Sequence, residues 1–188
     1  MTGPDNHYFG RIWYFRDITQ RKILEHKLRA ASITDPLTGL YNRRGFFALA
    51  HQQIKIAERT KKDMLLFFVD LDGMKYINDT FGHVEGDNVL IEVASILKTT
   101  FRESDIIGCM GGDEFAVLVI DATHQTKEIL VKRLCSIIKA RNEVENKFQI
   151  SLSIGVEYYN ADCHLPIDEI IVRADSLMYE EKRRKQIQ

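Results

Sequence analysis

Two carboxylates directly follow two glycines in the segment GCMGGDEFAVLVI, which runs from residue 108 to residue 120. The β-branched and aromatic residues on both sides favour extended chain, and Gly111-Gly112 is a two-residue hairpin signal. Aspartate and glutamate are depleted from strands. Asp113 and Glu114 therefore indicate a hairpin tip with a function. The simpler alternative is an acidic tip in solvent, which the apolar flanks disfavour.

A further acidic position lies near the end of the apolar run LLFFVDLD. An ionised Asp70 in a buried strand needs a partner that offsets its lost hydration. Alternation places Asp70 and Asp72 on one face of this strand. We interpret Asp70 as a metal ligand and Asp72, which precedes Gly73, as a turn or helix-cap residue. An EF-hand is excluded because Met74 occupies its third ligand position and the loop glycine comes too early.

The hairpin and the Asp70 strand together predict a metal site. If the two are neighbours, three carboxylates meet at one sheet edge, which is unfavourable unless a cation lies between them. Oxygen-only ligands suit Mg²⁺, which usually keeps several waters and shares its shell with substrate phosphates. Gly111 and Gly112 lack Cβ atoms and let a phosphate or ribose approach the backbone. Asp113 and Glu114 point to opposite faces of an extended chain, so we expect them to have different roles.

Polar residues beyond the Asp70 strand favour a nucleotide as the ligand. The segment DLDGMKYIND places a loop with free backbone N–H groups before a helix start, which suits phosphate. Asn78 and Asp87 lie on consecutive predicted helices, and an amide with a carboxylate matches the hydrogen-bonding edge of guanine. A helix-end Asn and a helix-cap Asp fit the same spacing. Lys182 suits a phosphate, but the helix macrodipole equally favours a basic residue there. We interpret His83 as structural.

These residues require a fold that brings distant segments together. The patterns predict a helix over about 43–60, the strand MLLFFVDLD, a short and a longer helix, the hairpin, a helix over about 124–142, the strand FQISLSIGVEYY and a final helix from near Pro166. From residue 64 the order is β-αα-β-β-α-β-α, which predicts an α+β sheet with helices on one face.

The composition of the 188-residue chain narrows the function classes. There are 26 basic and 27 acidic side chains, so no strong field points to nucleic acid. The three cysteines include no CxxC pair, which argues against a disulfide framework or a zinc site. No apolar run approaches the roughly 20 residues of a membrane span, and no signal-peptide pattern is present. We expect a cytoplasmic domain without a nucleic-acid partner or direct membrane contact.

The N-terminal part is organised differently from the rest. Residues 1–16 hold one predicted strand, which is too little to fold alone, and we interpret them as the truncated end of a sensor domain. Residues 17–33 predict a linker helix capped by Asp17 or Thr19. Its narrow apolar stripe, typical of a coiled coil, consists of Leu24, Leu28 and Ala31. The alternative is an amphipathic helix that packs on its own domain. A new unit covers residues 34–188.

Five segments of this chain are DPLTGLYNRRGF, DLDGMKYINDTFGHVEGDNVL, GGDEF, SLSIGV and RADSLMYEEK. In this order they resemble the signature segments of GGDEF domains, the diguanylate cyclases, over Thr34 to Lys185. The preceding GRIWYFRDITQRK resembles the end of a PAS sensor domain with its signalling helix. The resemblance implies an α+β, ferredoxin-like sheet with helices packed on it, similar to the palm of nucleotide cyclases and polymerases.

The resemblance also implies a reaction and a metal site. Two GTP molecules condense to cyclic di-GMP and two pyrophosphates in a homodimer whose domains each hold one GTP, under control of the upstream sensor. Asp70 and Asp113 would bind Mg²⁺, or Mn²⁺ in its place, with the Leu71 carbonyl as a further ligand. Glu114 would complete this site or help to deprotonate the 3′-hydroxyl.

The same resemblance implies how the nucleotide is held. Asn78 and Asp87 would read guanine. Lys182 and the backbone amides around Gly73 and Met74 would hold the β- and γ-phosphates.

A regulatory site and three departures complete the comparison with the family, and one departure is Gly73, which stands where the family usually has Phe. Arg102 and Asp105, in RESD, fit the RxxD inhibitory site, where the product binds and slows the enzyme. Cys109 stands where the family usually has Arg, and Gln186 where it commonly has a second phosphate-binding Arg. A receptor that binds GTP or cyclic di-GMP without turnover is therefore our second hypothesis, and a cyclase with a mononucleotide product is the third.

Overall fold

The computed structural model of the chain describes residues 17–20, 22, 28, 33–144 and 147–187. Two compact units are present, Met1–Ser32 and Ile33–Gln188. The elements of the second unit, within the described residues, are β1 (Tyr41–Asn42), α1 (Arg43–Thr60), β2 (Met64–Leu71), α2 (Met74–Phe81), α3 (His83–Thr100), β3 (Ile106–Gly111), β4 (Glu114–Val119), α4 (His124–Val144), β5 (Leu152–Tyr159) and α5 (Ile167–Ile187).

The observed order of elements from β2 onward is the predicted β-αα-β-β-α-β-α. The strand predicted over FQISLSIGVEYY begins only at Leu152. Leu152 pairs with Leu71, which is the last residue of β2. The residues before Leu152 therefore lie beyond the end of β2 and have no strand to pair with among the elements that the structure describes.

The sheet has the strand order β1-β3-β4-β2-β5. Its short edge strand β1 runs parallel to β3, and the other neighbours are antiparallel. Strand β2 therefore lies between β4 and β5. The last residues of β2 consequently contact both the hairpin formed by β3 and β4 and the start of β5.

Helices cover both faces of the sheet, so the prediction of helices on one face is wrong. The odd-numbered residues of β2, Leu65 to Leu71, pack with α2, α3 and α4. The even-numbered residues Met64 to Phe68 pack with α1 and α5. All eight residues of β2 are buried. The physical reason is that MLLFFV has no polar alternation, so neither face of this strand can meet water.

The hairpin turns one residue later than the sequence predicts. Gly111 pairs with Glu114, so the two turn residues are Gly112 and Asp113 rather than Gly111 and Gly112. An irregularity between Cys109 and Gly111 shifts the register of β3. Gly112 has a φ of +60°, and a Cβ atom there would have no neighbour within 4 Å. Backbone conformation, not crowding, therefore favours glycine at this tip.

Little of the predicted N-terminal helix falls within the described residues. The backbone N–H of Thr19 donates to Asp17 Oδ1 at 2.8 Å, as a cap at Asp17 requires, and Leu28 is exposed. The predicted sensor strand in residues 1–16, and Leu24 and Ala31, lie outside the described residues. The division into sensor end, linker helix and catalytic domain stays a prediction. In the described part of the chain, no helix combines the length and apolarity needed to cross a membrane.

Candidate nucleotide site

Asp70 and Glu114 lie next to each other on adjacent strands. Asp70 is a register partner of Glu114 across the antiparallel β2–β4 pair. Side chains of such partners point to the same face of the sheet, here the face that α1 and α5 cover. The side chain of Asp70 is only 8% exposed. The structure thus brings the hairpin and the Asp70 strand together, as the metal-site prediction requires.

Asp70 carries a buried charge among other acids. Burial raises its pKa, and the negative charges of Asp113 and Asp72 raise it further. Lys182 Nζ donates to Asp70 Oδ1 at 2.6 Å and counteracts this shift only in part. An additional cation at Asp70 would therefore be electrostatically favourable.

Glu114 shows the same pattern. Burial raises its pKa, and the charges of Asp175, Asp70 and Asp113 add to that effect. Asp113 lies in the turn, where strand alternation does not apply, so the expectation that it points away from Glu114 has no structural basis. The Asp113 carbonyl accepts from the Leu71 N–H at 3.0 Å, which ties the hairpin turn to the end of β2.

The donor chemistry at this point fits a magnesium ion. The donors available are carboxylate oxygens and backbone carbonyls, which Mg²⁺ prefers. Within the described residues, no three His, Cys, Asp or Glu side chains form a group that could hold a metal. Mg²⁺ does not need such a cage, because it is usually bound through one or two carboxylates together with waters and substrate phosphates.

Lys182 reaches the site from α5. Burial disfavours its ammonium charge, but the hydrogen bond to Asp70 and the charges of Asp70, Asp113 and Asp72 outweigh burial and raise the pKa of Lys182. The side chain therefore stays positively charged beside the carboxylates, where a phosphate group would meet it.

A cavity of about 370 Å³ opens on the other side of the hairpin tip. Its lining consists of Met74, Lys75, Asn78, Asp79, His83, Leu90, Gly112 and Asp113. Asn78 Oδ1 is buried and has no hydrogen-bond partner among the described residues. Leaving such an acceptor unsatisfied costs about 1–3 kcal/mol. Asn78 lines the cavity, but its Oδ1 has almost no accessible surface and packs against Gly86 of α3, so a ligand would reach this acceptor only if the Asn78 side chain and α3 shift.

Asp113 connects the two halves of the site. It lines the cavity that contains Asn78 and contributes to the raised pKa values of Asp70 and Glu114. A molecule in the cavity that passes the hairpin tip would consequently meet the carboxylates and Lys182.

The remaining predicted substrate residues are placed less uniformly. Gly73 is the N-cap of α2, and no side chain among the described residues accepts a hydrogen bond from the backbone N–H groups of the first turn. These N–H groups are thus available to a ligand. Asp72 therefore does not cap α2; its carboxylate accepts hydrogen bonds from Ser151 and Ser153 instead. Asp87 is exposed on α3 and is not among the described residues that line the cavity.

A larger cavity, of about 680 Å³, lies between α4, β5 and α5. None of the residues predicted to act in catalysis, binding or inhibition lines it. The smaller cavity is the better candidate because it combines an unpaired buried acceptor with nearby carboxylates.

Arg102 and Asp105 lie at a separate place. Arg102 is exposed and lines a cavity of about 420 Å³, together with Lys98 and Asp105. Asp105 is buried, and both of its carboxylate oxygens accept backbone N–H groups, from Arg102 at 2.9 Å and from Ile120 at 3.1 Å. Asp105 therefore shapes this loop, while Arg102 presents a charge to the cavity.

Sequence reasoning missed several residues of the site. Lys75, Asp79 and His83 line the cavity, although His83 was assigned a structural role. Lys75 lies three residues before Asn78 and four before Asp79, and these spacings could have indicated a shared helix surface. Nothing in the sequence pattern pointed to Ser151 and Ser153 as partners of Asp72.

Known proteins resemble this chain in sequence and in fold. Residues 32–188 match the profile of the family described as diguanylate cyclase, GGDEF domain. Diguanylate cyclase DgcM of Escherichia coli is 33% identical over 170 residues, which are 88% of this chain and 40% of DgcM. The chain thus spans less than half the length of this relative.

Two solved structures have the same fold. Diguanylate cyclase SiaD of Pseudomonas aeruginosa, in complex with its activator SiaC, has a TM-score of 0.73 and 29% identity, covering 88% of this chain and 64% of that chain. The coiled coil and GGDEF domain of DgcB from Caulobacter crescentus, in complex with c-di-GMP, has a TM-score of 0.74 and 27% identity, covering 87% of both chains. The predicted palm-like α+β fold is confirmed.

Proposed function

The chain belongs to the GGDEF family of diguanylate cyclases, and on this premise we propose that it condenses two GTP molecules into cyclic di-GMP and two pyrophosphates. The observation that carries the proposal is that Asn78 lines a cavity together with Asp113 and that its buried Oδ1 has no hydrogen-bond partner among the described residues. The chain spans only 40% of the length of its relative DgcM, so the activity of a longer parent protein is likewise a proposal.

Asn78 recognises guanine in this proposal. Its Oδ1 accepts a hydrogen bond from the N1–H or the exocyclic amine of the base. Asp87, exposed on the neighbouring helix, supplies the second acceptor when the base is bound. Adenine lacks a donor at N1 and would leave the buried acceptor unsatisfied, which disfavours ATP.

The phosphates extend from the base past the hairpin tip. Lys182 holds the β- and γ-phosphates together with the backbone amides at Gly73 and Met74. Gly111 and Gly112 allow the nucleotide to approach the backbone closely. The space beside each glycine is open, and a Cβ atom would fill part of it.

The carboxylates form the reaction centre. Asp70, Asp113 and the Leu71 carbonyl would hold Mg²⁺, or Mn²⁺ in its place, with Glu114 completing the site. A metal ion held by these residues would supply positive charge that stabilises the developing negative charge of the reaction. Glu114 is suited to accept the proton of the attacking 3′-hydroxyl, because burial and the neighbouring carboxylates raise its pKa above the ordinary value of a glutamate and make it a stronger base. The new O–P bond forms as the bond to pyrophosphate breaks.

The reaction requires two copies of the domain. Each domain holds one GTP, and the 3′-hydroxyl of one nucleotide attacks the α-phosphorus of the other. We propose that an upstream sensor domain in the parent protein controls how the two copies meet.

Incubation of the chain with GTP and Mg²⁺ at several protein concentrations tests this function, with products separated by chromatography. We expect cyclic di-GMP to form at a rate that rises faster than linearly with protein concentration, and ATP to give no product. GTP turnover to a mononucleotide product, or no GTP binding, would refute the proposal.

A cyclic di-GMP receptor without turnover is the second candidate. The cavity beside Arg102 favours it, because the exposed Arg102 side chain offers a positive charge at a site separate from Asp70, Asp113 and Glu114. Binding of cyclic di-GMP without any product from GTP would support this function over catalysis.

A further inference from the structure

Asp72 is the centre of a hydrogen-bond network that the proposed reaction does not use. The hydroxyl groups of Ser151 and Ser153 donate to its two carboxylate oxygens, each at 2.6 Å. Lys185 Nζ donates to Asp72 Oδ2 at 3.0 Å. The backbone N–H of Asp72 donates to the Ser151 carbonyl at 2.9 Å. Three segments of the chain thus converge on one side chain: the end of β2, the start of β5 and the last turns of α5.

Lys185 is fully engaged in this network. Besides Asp72, it donates to the Leu152 carbonyl at 2.6 Å and lies 3.4 Å from Glu181 Oε1. An ammonium group has three donors. Lys185 therefore has no donor left for a substrate phosphate, and its contacts hold α5 against the start of β5.

Two parallel ion pairs link the same two segments. Asp70 contacts Lys182 at 2.6 Å, and Asp72 contacts Lys185 at 3.0 Å. The acids are two residues apart at the end of β2, and the lysines are three residues apart on α5. Both pairs therefore join the end of β2 and the residue after it to α5.

We propose that Asp72, Ser151, Ser153 and Lys185 form a positioning clamp that holds the segment after β2 and the last turns of α5 together, and thereby places Lys182 and the Gly73–Met74 amides for the substrate triphosphate. The clamp does not touch the nucleotide. The role in binding rests on the proposed function, whereas the coupling between the two segments does not.

Binding measurements on the full chain test the positioning role. In Asp72→Asn, we expect the Kd for GTP with Mg²⁺ to rise roughly tenfold or more, since misplaced binding groups lose affinity. The Kd for GMP, which lacks the β- and γ-phosphates, should stay within about twofold. Ser151→Ala should raise the Kd for GTP in the same direction, and Ser151→Thr, which keeps the hydroxyl, should restore it. Equal weakening of GTP and GMP, or an unchanged Kd for GTP, would overturn the role in triphosphate binding.

Hydrogen exchange of the nucleotide-free protein tests the coupling independently. Both Asp72→Asn and Lys185→Met should speed amide exchange in residues 72–78 and in residues 180–185. Faster exchange in only one of these segments, or in neither, would refute the clamp. The control is Lys61→Met, which breaks a comparable ion pair with Asp162 whose side chains are 60% and 72% exposed. If the wild-type chain binds no GTP, the proposed function fails, and the exchange data still decide whether the clamp exists.

Discussion

Asn78 Oδ1 is buried and has no hydrogen-bond partner among the described residues. A substitution at Asn78 should therefore affect ligand binding and protein stability differently. A Cβ atom on Gly86 would lie 2.0 Å from Asn78 Oδ1, so the neighbouring helix packs directly against this amide. In the nucleotide-free protein the buried oxygen is unfavourable. A group that destabilises the free protein and satisfies a ligand is a typical feature of a binding site.

Asn78→Ala should therefore weaken GTP binding without destabilising the fold. We expect the Kd for GTP to rise at least roughly tenfold, because the guanine donors lose their acceptor. The free energy of unfolding should stay the same or rise by up to about 1 kcal/mol, because alanine removes the unpaired oxygen and favours the helix. Calorimetric titration and urea unfolding measure the two quantities. A large loss of stability with unchanged GTP affinity would mean that Asn78 is a structural residue.

Asp113 is expected to be required for turnover and not for folding. Asp113→Ala should lower the rate of cyclic di-GMP formation at least roughly 100-fold, because a group that stabilises charge in the transition state is lost. Its side chain lies in a turn, so circular dichroism should show an intact fold. Asp162→Ala removes an exposed carboxylate elsewhere and serves as the control. A wild-type rate in Asp113→Ala would refute the assignment.

Among the elements, α5 and β5 approach each other unusually closely. A Cβ atom on Gly155 would lie 1.9 Å from the Ala174 carbonyl oxygen and 2.4 Å from the Met178 nitrogen. Both neighbours are backbone atoms, which cannot move aside without shifting the helix. The absence of a side chain at Gly155 thus sets the distance at which α5 carries Lys182 to Asp70.

Gly155→Ala should destabilise the protein by about 2–3 kcal/mol, because the added methyl group forces the helix away from the sheet. Guanidinium unfolding measures this change. Ser176→Ala, on the exposed surface of the same helix, should change stability by less than about 0.5 kcal/mol. Equal stability of Gly155→Ala and the wild type would show that α5 has room to shift.

A hydrogen bond between the ends of β2 and β5 gives stability that depends on pH. The Tyr158 hydroxyl donates to Asp63, and the Ala161 N–H donates to Asp63 Oδ1 at 2.9 Å. These two bonds lower the pKa of Asp63 below its ordinary value of 3.8. The same carboxylate raises the pKa of Tyr158 from 10.0 to about 12.

Tyr158→Phe should lower the free energy of unfolding by about 1 kcal/mol at neutral pH. This value is small for a hydrogen bond to a charged group, because the pair is partly exposed to solvent. The lowered pKa of Asp63 means that its contribution is complete above pH 3.8 and is lost as the pH falls through the folded-state pKa. The raised pKa of Tyr158 means that its contribution is complete below pH 10.0 and is lost as the pH rises through about 12.

Thermal unfolding of both proteins across this pH range measures the difference. Phenylalanine keeps the ring stacked on His124 at 3.8 Å, so the comparison isolates the hydroxyl group. A difference in stability that is independent of pH would contradict the assigned hydrogen bond.

At the scale of the whole molecule, the cavity that contains Asn78 and the cavity that contains Arg102 lie apart from each other. The cavity with Asn78 lies beside the hairpin turn, whereas the cavity with Arg102 lies beside β1, the edge strand at the other side of β3. No residue lines both cavities among those that the structure describes. A ligand bound beside Arg102 would therefore occupy a site separate from the cavity with Asn78.

Arg102→Ala should relieve inhibition by cyclic di-GMP. We expect the inhibition constant to rise roughly 10- to 100-fold, because the product phosphate loses a charged partner. The backbone N–H that donates to Asp105 is kept in the variant, so the loop should stay folded. Rates measured with added cyclic di-GMP test this, with Arg44→Ala, an exposed arginine outside both cavities, as the control. The same inhibition constant in the variant and the wild type would refute the inhibitory site.

The sequence by itself determined the elements, the family and the identity of the acidic residues. Apolar periodicity and breaker residues act locally, so the order of helices and strands follows from them. The signature segments identified the GGDEF family without reference to any contact.

Only the tertiary structure decided which distant residues meet. The coverage of both sheet faces, the turn at Gly112–Asp113, the unpaired Asn78 oxygen and the clamp at Asp72 depend on packing and strand register. Such contacts join residues as far apart as Asp72 and Lys185, and no local pattern encodes their distance. The sequence identified the candidate groups, whereas the fold set the distances between them and the burial that shifts the pKa values of Asp70 and Glu114.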